Sequence, residues 1–264
     1  MLAASVECQH SVLSKISEPF VTVASVLAMP SRRKCGTMIG WRLFRQPSKS
    51  LDSRKPRKSG VVNAGSDNTM RELGPASSDE MVLSFLRAEI DSPTWWPRYA
   101  RVLNAHHLNR SSLIDNADLN DSRSNHDRGI VLGEVRGYGR DEGLFQGLPL
   151  DTKWRRVSLD PTEFQRLRYI NNDEFWRNLT GGTRSVQDGA RNYKGSRITA
   201  GVDDVLRKIR QGASIPELIL VEDMRGGLVV LEGHTRATAF VIARSNPISA
   251  LVGTSPAMHQ WTFI

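Results

Sequence analysis

"GGLVVLEGHTRATAFVIA", residues 226–243, runs from one apolar stretch to another through Glu232, Gly233, His234, Thr235 and Arg236. The short valine- and leucine-rich run before Glu232 predicts a buried strand, and the alanine-rich run after Arg236 predicts a helix. Gly233 between them permits a sharp turn, because it has no Cβ to clash. His234, Thr235 and Arg236 then fall on the first helical turn, where backbone N–H groups lack intrahelical partners and the helix dipole is positive. That environment suits an anion. Thr235 adds a hydroxyl donor and Arg236 a guanidinium that can grip two oxygens. Phosphate, sulfate or a substrate carboxylate would fit.

Glu232 leaves two readings open. A carboxylate beside a phosphate is repulsive unless a metal ion or an arginine intervenes. It serves chemistry if the phosphate arrives with Mg²⁺, or if it takes a proton from an attacking hydroxyl. Locally, it can instead pair with Arg236 or a basic residue of segment 181–197, while His234 or Thr235 caps the helix.

Working outward, "ELILVE" predicts another strand, "DMRGG" a turn, and "ISALVG" a third strand after the helix. The first two strands form a hairpin, and the helix carries the chain on to the third. Upstream, "GVDDVLRKIRQGA" is an amphipathic helix, acidic at its start, basic at its end and stopped by Gly212. "WRRVSLDPTEFQRL" predicts a strand, then Asp160 and Pro161 opening a helix. The fold class is therefore α+β, a small mixed β-sheet with packed helices, the simplest packing placing them on one side.

This layout resembles the ParB N-terminal, sulfiredoxin-like superfamily over about residues 154–253. Partition proteins carry a pattern like "GERRxRA" at the strand-to-helix junction, and sulfiredoxins one like "GGCHRxxA"; here the residues are "GHTRATA". "VSLDPTEF" is similar to the family's opening segment, and "VLRKIRQGASIPELILVE" to the helix, turn and strand that precede the motif. The resemblance implies nucleotide-phosphate contacts from Gly233, His234, Thr235 and Arg236, with Arg166 and Arg168 near the same phosphates. The sulfiredoxin cysteine is missing, which argues against that repair chemistry. The partition proteins' DNA-reading domain has no room in "TSPAMHQWTFI".

The N-terminal part reads differently. Residues 1–78 mix Ser, Pro, Gly and like charge and predict a loose basic segment. Residues 79–153 predict a helical and irregular extension packed on a 154–264 body. Within it, "SSDEMVLSFLRAEIDSP" is a helix capped at Ser78, "TWWPRYARVLNAHHL" a turn and short helix, residues 110–129 a polar linker or surface loop, and "GIVLGEVRGYG" a strand with glycine interruptions. "TGGTRSVQDGARNYKGSR" predicts a long basic loop. The aspartates of the linker do not have calcium-loop spacing.

The chain has 264 residues and a formal charge of +8. Residues 1–60 hold eleven Lys and Arg against three acids, so the rest sums to zero. Basicity therefore suggests nucleic-acid contact only through the head of the chain. Both cysteines, Cys8 and Cys35, lie there too, leaving no thiol for catalysis in the body. No apolar run is long enough to span a membrane, and a cytoplasmic location is expected. The leading expectation is a nucleotide-phosphate-binding domain, acting on ATP or CTP with Mg²⁺ as a phosphotransferase or nucleoside triphosphatase, with Glu232 as catalytic carboxylate. The alternative is a nonenzymatic module that binds DNA or a protein.

Overall fold

The hairpin expected around "DMRGG" forms the middle of the sheet. β4 (Leu218–Glu222) and β5 (Leu228–Glu232) pair antiparallel, with Val221 opposite Val229. Asp223 closes the turn, its Oδ1 accepting the backbone N–H groups of Arg225 at 2.8 Å and Gly227 at 2.7 Å. The computed structural model describes residues 70–171, 174–244 and 247–264. Four further strands complete the sheet: β1 (Arg71–Ala76), β2 (Lys153–Leu159), β3 (Leu167–Arg168) and β6 (Ile248–Thr254). Their order is β1-β2-β6-β4-β5-β3, with two parallel pairs (β4 with β6, β3 with β5) and three antiparallel ones. The fold is thus mixed α+β.

Leu218, Ile219, Leu220 and Val221 of β4 are completely buried, as are Leu228, Val229, Val230 and Leu231 of β5. Successive side chains of a strand point to opposite faces, so both faces of these strands are covered. The expectation of helices on one side alone is corrected. α1 (Ser78–Glu89) packs on β2 and β4, while α7 (His234–Ala243) packs on β5. α5 (Val186–Asn192), α6 (Thr199–Arg210) and α7 share a smaller apolar cluster of Tyr193, Val202, Leu206 and Ala239.

The basic head, residues 1–69, lies outside the described residues. The loose segment expected to run to residue 78 nevertheless contains β1, which pairs antiparallel with β2. Its own side chains are mostly exposed, so backbone pairing with β2, not a core of its own, orders it. α1 begins one residue earlier than its composition suggested: Ser77, not Ser78, is the cap. Ser77 Oγ accepts from the Glu80 N–H at 3.1 Å and Glu80 Oε2 accepts from the Ser77 N–H at 2.8 Å.

Two expectations fail in the middle of the chain. "GIVLGEVRGYG" is not a strand, and residues 110–129 are not a plain linker. Both run into α3 (Ser122–Arg136), capped by Asp121 and ended by Gly137 at φ 91°. Arg128 is fully buried in it and donates to the carbonyls of Leu113 at 2.8 Å and Asp118 at 2.9 Å, pinning the preceding segment. The expected basic loop likewise contains α5, anchored by buried Val186. α2 (Trp96–Ala105) and α4 (Glu174–Leu179) stand where expected. A loop with Leu150 94% exposed connects the α3 region to β2.

Candidate functional site

Glu232 ends β5 and Gly233 takes φ 101°, a left-handed conformation, to start α7. A Cβ on Gly233 would stand 2.8 Å from Arg236 Nη2 and 2.8 Å from Leu218 Cδ2. The glycine therefore does more than turn the chain: it leaves room for the Arg236 guanidinium to fold back over the turn. From there Arg236 Nη2 lies 3.3 Å from Glu232 Oε1 and donates to the Glu217 carbonyl at 3.3 Å. The local ion pair is formed, between side chains only 11% and 14% exposed.

The junction opens on a cleft of about 310 Å³. Glu232, Gly233, His234, Thr235 and Arg236 form one wall; Ala88, Glu89, Ser92, Trp95 and Arg136 form the opposite one, with Trp176 between. The second wall comes entirely from the 79–153 segment. Sequence reading placed no site residue there. A larger groove of about 430 Å³ lies elsewhere, lined by Met81, Tyr138, Phe145, Trp154 and neighbours. The smaller cleft has the concentration of charged groups.

Glu89 is 5% exposed. Its Oε2 accepts from Tyr99 Oη at 2.7 Å and its Oε1 lies 3.5 Å from Arg136 Nη2. Burial, followed by the negative charge of Glu232, pushes its carboxyl up from 4.5 to about 7, against the opposing pull of Arg136, Tyr99 and Arg236. Burial and the nearby Glu89 charge likewise push the Tyr99 hydroxyl far upward, so it remains a donor. The Arg136 guanidinium carbon stands 3.9 Å from the Trp95 ring centroid, a cation–π contact that fixes its plane.

A stack of rings supports the α7 side. Trp176 lies parallel to Tyr169 at 4.2 Å and to His234 at 5.1 Å, with Phe175 edge-on at 4.8 Å. Tyr169 Oη and Thr238 Oγ1 are 2.7 Å apart, tying the stack to α7. Burial pushes the Tyr169 hydroxyl up to about 12.

The structure thus brings Glu232, Gly233, His234, Thr235 and Arg236 together on one wall. Arg166 and Arg168 are not part of the cleft lining. Arg166 donates to the Gly226 carbonyl at 2.7 Å, Glu222 at 2.9 Å and Glu163 at 2.5 Å, fastening the hairpin turn. Arg168 sits exposed on the short β3, bridged to Ser185. Trp261 is buried and donates to the Leu144 carbonyl at 3.0 Å; it does not line the cleft.

Among the described residues, no group of three or more His, Cys, Asp and Glu side chains is placed to hold a metal ion. None of the described helices is long and apolar enough to cross a membrane. No family model matches this chain, and neither a curated protein nor a solved structure does.

Proposed function

We propose that the cleft at the start of α7 binds the phosphate groups of a nucleotide such as ATP or CTP. One observation carries this reading. Arg136 and Arg236 line the same cleft from opposite walls, and the buried Nε of each has no hydrogen-bond acceptor among the described residues. Buried N–H groups without acceptors are costly and rare, and phosphate oxygens would satisfy both. The first turn of α7 adds backbone donors, and Thr235 a hydroxyl. Gly233, His234, Thr235 and Arg236 would hold the phosphates as the likeness to the ParB N-terminal, sulfiredoxin-like superfamily implies. The strand–glycine–helix junction at the end of β5, beside β4, supports that likeness. Mg²⁺ would enter as the counter-ion of the phosphates, not as an ion held by the protein.

Glu232 is the carboxylate for phosphotransfer or hydrolysis. It would take the proton of the attacking hydroxyl or water as the new P–O bond forms and the bond to the leaving phosphate breaks. The Glu232–Arg236 contact of 3.3 Å favours a second reading, in which the pair only supports the fold of a nonenzymatic interaction module for DNA or a protein.

Differential-stability measurements with ATP, ADP, CTP and GTP, with and without Mg²⁺, test binding, since a ligand of the folded state raises its melting temperature. At least one triphosphate should do so in the wild type and fail to do so with Arg236→Ala. No shift with any of them would end the nucleotide reading. For a binder, Glu232→Gln separates the two roles: lost turnover with retained binding makes the carboxylate catalytic, whereas a lower melting temperature with no turnover in either protein makes it structural.

A further inference from the structure

The cleft faces two carboxylates with two guanidinium groups: Glu89 with Arg136, and Glu232 with Arg236. When all four are ionised, their formal charges cancel. A phosphate dianion entering between them leaves the site with surplus negative charge, and a buried surplus is expensive. The least costly remedy is a proton on one carboxylate. We infer that an anion bound at the start of α7 draws a proton onto the Glu89 carboxyl, so that ligand and proton enter the cleft together.

This inference rests on the anion-binding reading and adds its chemical condition. Geometry picks Glu89 over Glu232. The Glu89 side chain is 6% exposed and the Glu232 side chain 14%, so water solvates the Glu89 charge less. The Glu89–Arg136 distance of 3.5 Å exceeds the ~2.7–2.9 Å of a close charge-assisted hydrogen bond. That loose pair can be exchanged for a phosphate oxygen. The guanidinium does not depend on Glu89 for its position, because the Trp95 ring holds it at 3.9 Å.

The groups that face Glu89 from the surrounding elements agree on the direction. Tyr99 of α2 holds Oε2, Arg136 of α3 faces Oε1, and Glu232 at the end of β5 repels its charge. Arg236 of α7 attracts that charge more weakly, and His234 lines the cleft beside it. An added phosphate reinforces the repulsion from Glu232 and takes up the attraction of the arginines. Both changes favour the neutral carboxyl, whose ordinary ionisation burial has already displaced upward.

The test is the pH dependence of ATP affinity on the full chain, without metal, from about pH 7.5 to about pH 9, where a phosphate monoester with its second ionisation near ~6 no longer titrates. Uptake of a proton makes the affinity fall by up to about tenfold per pH unit. Calorimetry in buffers of different ionisation enthalpy should show a matching proton uptake. In Glu89→Gln both effects should disappear while binding persists. Tyr99→Phe removes the hydrogen bond that favours the ionised carboxyl, so it should shift the fall in affinity to higher pH. That variant decides the matter if Glu89→Gln does not fold. A flat wild-type affinity, or an unchanged fall in the folded Glu89→Gln protein or in Tyr99→Phe, overturns the inference while leaving anion binding intact. No ATP binding at any pH overturns it together with the reading beneath it.

Discussion

At the scale of single residues, Gly233 and Glu89 bear most of the site's geometry and charge. Gly233→Ala imposes a left-handed conformation on alanine and presses a methyl group toward Arg236 and Leu218. Denaturant unfolding should show a loss of about 1–3 kcal/mol, and phosphate affinity should fall with it because Arg236 is displaced. Glu89 gives a pH signature in the unliganded protein. Its carboxyl lies at about 7 when folded, against 4.5 ordinarily, so the folded state binds the extra proton between these values. The stability it contributes is full below pH 4.5 and is lost as the pH rises to about 7. Stability measured across that window should decline in the wild type and decline less in Glu89→Gln. The Gly233 turn was legible because strand, glycine and helix are contiguous. Glu89 was missed, although a signal exists: with Val82, Phe85 and Leu86 it falls on the buried stripe of α1, and a carboxylate on such a stripe at a helix C-terminus opposes both burial and the dipole.

At the scale of elements, the hairpin β4–β5 was readable because two unbroken apolar runs flank a turn, and helix α6 because its apolar residues follow the helical period. α3 was not. Its charged and apolar residues are spread round the axis, with Arg128 buried among them, so no amphipathic stripe announces a helix. Its glycines suggested strand interruptions, yet Gly129, Gly133 and Gly137 recur every fourth residue, the spacing of one helical face. Packing explains why: a Cβ on Gly133 would stand 2.8 Å from the Tyr138 carbonyl oxygen, so the chain returning after α3 passes close against the helix. Gly133→Ala should therefore destabilise the protein despite alanine's better helix propensity. A gain near ~1 kcal/mol is what propensity alone predicts, and thermal denaturation tells the two signs apart.

At the scale of the whole molecule, the described residues form one compact unit, and one apolar core runs from Met81 and Phe85 of α1 to Leu220 of β4 and Trp261 near the chain end. The 79–153 segment therefore shares its core with the body and supplies half of the cleft. No local motif could announce this, because Glu89, Trp95 and Arg136 meet Glu232 and Arg236 only through the tertiary fold. The cleft is consequently a seam between two stretches of chain joined by the loop that exposes Leu150. A break at Leu150 should yield two fragments that are individually unfolded and recombine through β1–β2 pairing and the α1 interface. A ligand touching both walls would then act as a clamp on the reassembled pair, making fragment complementation a concentration gauge for that ligand. Co-expressed halves fused to a split reporter should give a signal that rises with the bound anion, and Arg136→Ala or Arg236→Ala should blunt the rise.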